Sequence, residues 1–100
     1  MPDPMQVRWT ESATQDIRGI ARYIRKDNPA AARAVAKATL DAADSLSLFP
    51  FKGREGKIAD TRELVVSGLP YIVVYKVTRT AIHVLHIYHG ARNWPGEQRS

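Results

Sequence analysis

The sequence contains no cysteine, which excludes disulfides, thiolate nucleophiles and Cys-based metal sites and fits a reducing compartment. It also lacks any apolar run near the roughly 20 residues that span a bilayer, and the opening Met1-Pro2-Asp3-Pro4-Met5 has no apolar signal core. A cytoplasmic protein without a membrane contact is expected, with neither metal nor cofactor. Acidic charge is scarce as well. Ten Asp and Glu stand against 15 Lys and Arg, a formal charge of +5, and a surplus of that sign favours a polyanion or an acidic protein as partner. No internal repeat or low-complexity tract is present.

What is there suits one folded domain. A chain of 100 residues, 44% hydrophobic and 25% charged, has the composition of a folded soluble protein and enough material for a single core. The reading is one domain over residues 1–100, with residues 1–5 a frayed lead-in.

Gln6-Val7-Arg8-Trp9-Thr10 alternates polar and apolar, as a short strand does. Ser12 and Gln15 have capping-box spacing, so a helix is expected to start there, with Ala13, Ile17, Ile20, Ala21 and Ile24 on its buried face. Asn28-Pro29 ends that helix and opens another, alanine-rich and running from about Ala30 to about Leu48. In it Val35, Leu40, Leu46 and Leu48 are expected to supply the larger contacts, and Pro50 stops it. Phe51 to Lys57 is a glycine-punctuated basic loop without the lysine-serine or lysine-threonine ending of a P-loop, and reads as solvated.

From there the period becomes two. Strands are expected over Arg62–Val66, Tyr71–Val77 and Ile82–Tyr88, with a turn at Ser67-Gly68-Leu69-Pro70. The result is an α+β fold in the order βααβββ, the helical hairpin packed on one face of a four-stranded, mainly antiparallel sheet. Val73, Tyr75 and Val77 alternate with Ile72 and Val74, so both sheet faces are apolar. One takes the helices and the other is expected to be held for a partner.

Arg62-Glu63-Leu64, Ser67-Gly68-Leu69-Pro70-Tyr71-Ile72-Val73-Val74-Tyr75-Lys76-Val77 and Val84-Leu85-His86-Ile87-Tyr88-His89-Gly90-Ala91-Arg92 together resemble the RelE/ParE toxin superfamily, and most of all its ParE or plasmid-stabilisation type. The resemblance implies the toxin of a type II toxin-antitoxin system, silenced by a small antitoxin from the adjacent gene. It also implies one of two victims: DNA gyrase for ParE-like toxins, or messenger RNA cut within the ribosome for RelE-like ones. An amphipathic antitoxin segment is expected to lie on Leu64, Val66, Tyr71, Val73 and Tyr75, its acidic groups meeting the basic ones.

RNA cleavage without metal needs a base, an acid and cations for the phosphorane. His83, His86 and His89 are the proton-transfer candidates, and Arg54, Lys57, Arg62, Lys76 and Arg92 are the cations. In a regular strand, alternation puts His83 and His89 on one face and His86 on the other, so the three cannot share one site; His89 with Arg92 is the favoured pair, and His89, Arg92, Arg62 and Lys57 are the set expected of a ribonuclease. The RelE-like pattern carries an arginine where this chain has Ile72, together with paired lysines and a tail tyrosine that are missing here. The gyrase-directed reading is therefore the leading one, with His89, Arg92, Trp94 and Arg62 as target contacts. Trp94 reads either as a latch on the domain or as an aromatic anchor. A third reading keeps the fold and the antitoxin contact without toxicity.

Overall fold

The computed structural model describes residues 3–91. Strand β1 (Gln6–Trp9) is followed by helices α1 (Glu11–Arg25) and α2 (Pro29–Ser45), then by strands β2 (Arg54–Glu55), β3 (Arg62–Val65), β4 (Tyr71–Val77) and β5 (Ala81–His89). The sheet has five strands, in the order β1-β5-β4-β3-β2, not the four expected. The additional strand, β2, lies in the glycine loop and pairs antiparallel with β3. The first strand runs parallel to the last, Gln6 opposite Ala81 and Trp9 opposite Val84, and the β3/β4 and β4/β5 pairings are antiparallel.

Helix α1 is capped by Thr10 rather than Ser12. The Thr10 side chain accepts from the Ala13 N–H at 3.1 Å, and its hydroxyl lies 3.0 and 3.1 Å from the Val84 and Leu85 carbonyls. This one side chain satisfies an orphan helix donor and ties the helix start to β5. Thr10→Ala is expected to cost about 1.5 kcal/mol and Ser12→Ala less than about 0.5, read from urea midpoints. Asn28 caps α2 as expected, accepting from Ala31 at 3.0 Å. That helix ends at Ser45, so Leu46 alone of its last leucines is buried, while Leu40 and Leu48 are exposed. Met5, within the expected lead-in, donates to the Ser47 carbonyl and accepts from the Ser47 hydroxyl.

The core lies between the hairpin and one sheet face. It is built of Ala13 and Ala43 from the helices, Leu46, and Val66, Val73, Tyr75, Ile82, Val84 and Ile87. Ala13 and Ala43 have no exposed surface, which lets the helix backbones sit close to β-branched strand residues. The turn from Val66 to Leu69 closes with the Leu69 N–H on the Val66 carbonyl at 3.0 Å, and Gly68 in its third position has φ +76°. That is type II turn geometry, so Gly68→Ala is expected to cost about 1 kcal/mol even though the site is open.

The second sheet face is not vacant. Ile72, Val74 and Tyr88 form a small cluster there, at 7, 1 and 8% exposure. The reserved apolar face expected from the sequence is therefore already covered within the chain: Ile58 and Thr61, in the loop between β2 and β3, line a cleft whose floor includes Val74.

Candidate functional site

A register shift between Val74 and Tyr75 decides where the histidines go. Val74 stands opposite His86 and Tyr75 opposite Val84, so Leu85 is an extra residue in β5. Such a bulge reverses the alternation beyond it. Ile82 and Val84 face the core before the bulge and Ile87 faces it after. His83 and His86 consequently share the second face, and His89 points to the helical side. The expected pairing of His83 with His89 is reversed, because it presumed an unbroken strand.

His86 and Asp16 meet at this bulge. The Asp16 carboxylate lies 3.2 Å from His86 Nδ1 and accepts from the Ile87 N–H at 3.0 Å, so α1 closes the part of the β5 edge that β1 is too short to reach. Beside them is an open cleft of about 300 Å³ lined by Thr10, Ser12, Ile58, Thr61, Val74, Leu85 and His86.

Two strands from His86, on β3, Glu63 is buried at 2% exposure. Its carboxylate accepts from Arg54 at 3.0 Å and from the Lys57 N–H at 3.1 Å, with the Tyr88 hydroxyl at 3.5 Å. A charge taken so far from water needs that full set of donors, and here it pins β2 and the start of the covering loop. Burial, and then the Glu63 charge, push the Tyr88 phenol above its ordinary value near 10. The unfolded chain ionises at that ordinary value while the folded chain holds its proton to higher pH. The stabilisation is thus full below pH 10 and is lost as pH rises through the folded value. Tyr88→Phe is expected to flatten the fall in urea midpoint between about pH 9.5 and 11 relative to the unmodified chain.

Arg62, also nominated from the sequence, is committed to structure. Arg62 donates to the Gly53 carbonyl at 3.1 Å and the Phe51 carbonyl at 3.4 Å, and its guanidinium sits 5.2 Å from the Phe51 ring centroid. It clamps the loop after α2. Tyr75 helps from within, donating to the Pro50 carbonyl at 2.8 Å and accepting from the Gly53 N–H at 2.9 Å. A Cβ on Gly53 would stand 2.7 Å from the Glu63 carbonyl oxygen, so only glycine fits this approach.

His89 packs edge-on to Tyr71 with centroids 5.5 Å apart, and its Nδ1 accepts from the Ala91 N–H at 3.0 Å. This places the proton of the neutral ring on Nε2. His89 pairs with Tyr71 and Arg62 with Tyr75, which puts them about 13 Å apart along β4. Lys57, in the loop before β3, gives its N–H to Glu63 on the second face. His89, Arg62 and Lys57 do not converge, and Arg92 and Trp94 lie outside the described residues.

Of the expected antitoxin contacts, Val66, Val73 and Tyr75 are buried beneath the helices at 2, 0 and 0% exposure, which removes them as surface contacts, while Leu64 and Tyr71 keep part of theirs. The exposed apolar side chains are elsewhere. Leu48, Phe49 and Phe51 cluster just beyond α2 at 55, 61 and 65% exposure. Their signal in the sequence was a run of large apolar residues around Pro50 that fits neither helix nor strand period. Among the described residues no group of three or more His, Cys, Asp or Glu is placed to hold a metal, and no helix is long and apolar enough to cross a membrane.

The chain belongs to the ParE toxin family of type II toxin-antitoxin systems, parDE, whose profile matches residues 7–94. It is 39% identical over 90 residues to the Sinorhizobium fredii protein named "Putative toxin Y4kP", covering 90% of this chain and 93% of that one. It is 41% identical over 87 residues to Toxin RelE2 of Caulobacter vibrioides, covering 87% of this chain and 97% of that one. Two solved structures share the fold. One is the chromosomal ParDE system of P. aeruginosa, with TM-score 0.79, 20% identity and 85% and 95% of the two chains covered. The other is the RelBE2 toxin-antitoxin complex of Mycobacterium tuberculosis, with TM-score 0.62, 21% identity and 89% and 94% covered.

Proposed function

We propose that this toxin is silenced by a cognate antitoxin and acts, when free, by holding DNA gyrase rather than by cutting RNA. The observation that carries the second half is the dispersal of the cleavage set. Phosphoryl transfer needs a base and cations within hydrogen-bond reach of one phosphate, whereas Arg62 is bound to its own loop and His89 lies far from it. The antitoxin half is supported by the family and by the uncovered apolar surface at Leu48, Phe49 and Phe51. That surface is rimmed by Lys52 and Arg62, and Leu64 shares the Arg62 side of β3. An amphipathic, acidic antitoxin segment matches both its oil and its charge.

The test is a supercoiling assay with purified toxin and gyrase, run beside sequencing of message ends after toxin induction in cells. Lost supercoiling with accumulating cleaved DNA is the expected result. Undisturbed supercoiling at excess toxin, with new codon-linked 5′ ends, would hand the function to the ribosome. Unaffected growth without the antitoxin would leave a harmless member of the family.

A further inference from the structure

From Leu64 to Gly96 the sequence has no aspartate or glutamate, and neither does β1. The fold lays these acid-free strands side by side. Arg8 stands opposite His83 on the parallel edge, and His83 stands opposite Lys76 on the antiparallel one. Cross-strand partners share a face, so the three side chains form a straight row on the side away from the helices, about 10 Å from end to end. Arg8 and Lys76 are exposed. The turn joining β4 to β5 adds Thr78, Arg79 and Thr80 at the same end of the sheet.

Arg8 and Lys76 stand two strands apart on one face with His83 between them, so the row presents fixed positive charge to a counter-charged partner. No ion pair among the described residues neutralises it. Among the described residues Lys76, Arg79 and His83 make no ion pair or side-chain hydrogen bond, and Arg8 is held only by Gln6, whose side-chain oxygen accepts from it at 3.0 and 3.2 Å. That neutral tether orients the guanidinium without spending its charge. The next row on this face contains Glu63, but its carboxylate is buried and engaged by Arg54.

We infer that the row of Arg8, His83 and Lys76, with Arg79 in the adjoining turn, binds the phosphate backbone of duplex DNA. Arginine, lysine, threonine and glutamine are the side chains that phosphate oxygens attract, and here they occur together without an acid among them. A peptide would need an apolar anchor, and a single strand would need an aromatic platform for its bases. The nearest aromatic on β1, Trp9, packs against the core on the opposite face. The inference stands apart from the gyrase reading: DNA can be gripped whether or not gyrase is the victim.

The test is fluorescence anisotropy of a labelled duplex of about 20 base pairs with the full chain freed from antitoxin, titrated between about 50 and 200 mM salt. Three permanent cations predict a slope of log K against log salt of about −2.7. Lys76→Gln and Arg8→Gln are each expected to reduce its magnitude by about 0.9 and to weaken binding several-fold. Thermal melting checks that each variant folds. Arg18→Gln with Arg22→Gln, exposed cations on the helical side, is expected to leave the slope unchanged. A flat salt dependence, an equal loss in the α1 variant, or displacement of the duplex by poly-glutamate at the same charge concentration each overturns the assignment. Binding that survives intact while gyrase supercoils normally would defeat the earlier proposal alone.

Discussion

Glu63→Ala is expected to lose about 3 kcal/mol of folding stability, the largest single effect of any polar substitution considered for this chain. The carboxylate is almost fully buried and serves the Arg54 side chain, the Lys57 N–H and the Tyr88 hydroxyl. Truncation removes the buried acceptor that the Tyr88 hydroxyl and the Lys57 N–H share. Arg54, whose side chain is 57% exposed, can turn to water, which keeps the cost at the lower end for a broken buried pair. Glu63→Gln retains one acceptor oxygen and the volume, so about half that loss is expected. Urea unfolding of the two variants checks the ordering. If alanine and glutamine cost the same, packing volume and hydrogen bonding are not what hold the loop over Val74, and the account of the covered face fails.

Phe49→Ser combined with Phe51→Ser is expected to weaken antitoxin binding by a hundredfold or more, about 2.8 kcal/mol, because aromatic anchors commonly carry 2 kcal/mol or more each at interfaces. Both rings are more than half exposed, so the free toxin should lose little stability, and its inhibition of its target should persist. The cell-level consequence is a toxin that escapes its silencer. Isothermal titration with the cognate antitoxin reads the affinity, and growth on co-expression reads the escape. Unchanged affinity would move the antitoxin off this surface altogether.

The distance between sequence and structure is instructive at particular residues. Helix α2 announced itself through Asn28-Pro29, because a capping side chain and a fixed φ act locally and need no tertiary partner. Strands β4 and β5 were legible for the same reason, as runs of β-branched and aromatic residues. The bulge at Leu85 was not, since nothing in Val84-Leu85-His86 differs from a regular strand, and it alone moved two histidines onto a common face. Thr10 outcompeted Ser12 as cap because its hydroxyl also meets carbonyls of β5, more than seventy residues on, a contact invisible to local spacing. Arg62 read as a phosphate ligand because an arginine at a strand start resembles one. Its real partners, the Phe51 ring and two loop carbonyls, exist only after β3 has folded back on the end of α2.

The parallel pairing of β1 with β5 joins the beginning of the chain to residues 81–84. During synthesis β1 therefore has to wait until residues 81–84 have emerged before its neighbour exists. A message broken early, or a ribosome that abandons translation partway, yields a fragment without β5, the partner of β1, and without a finished cationic edge. Copies that stop short of β5 should be inert and quickly degraded, so only a molecule translated through that strand reaches the point at which it needs restraint.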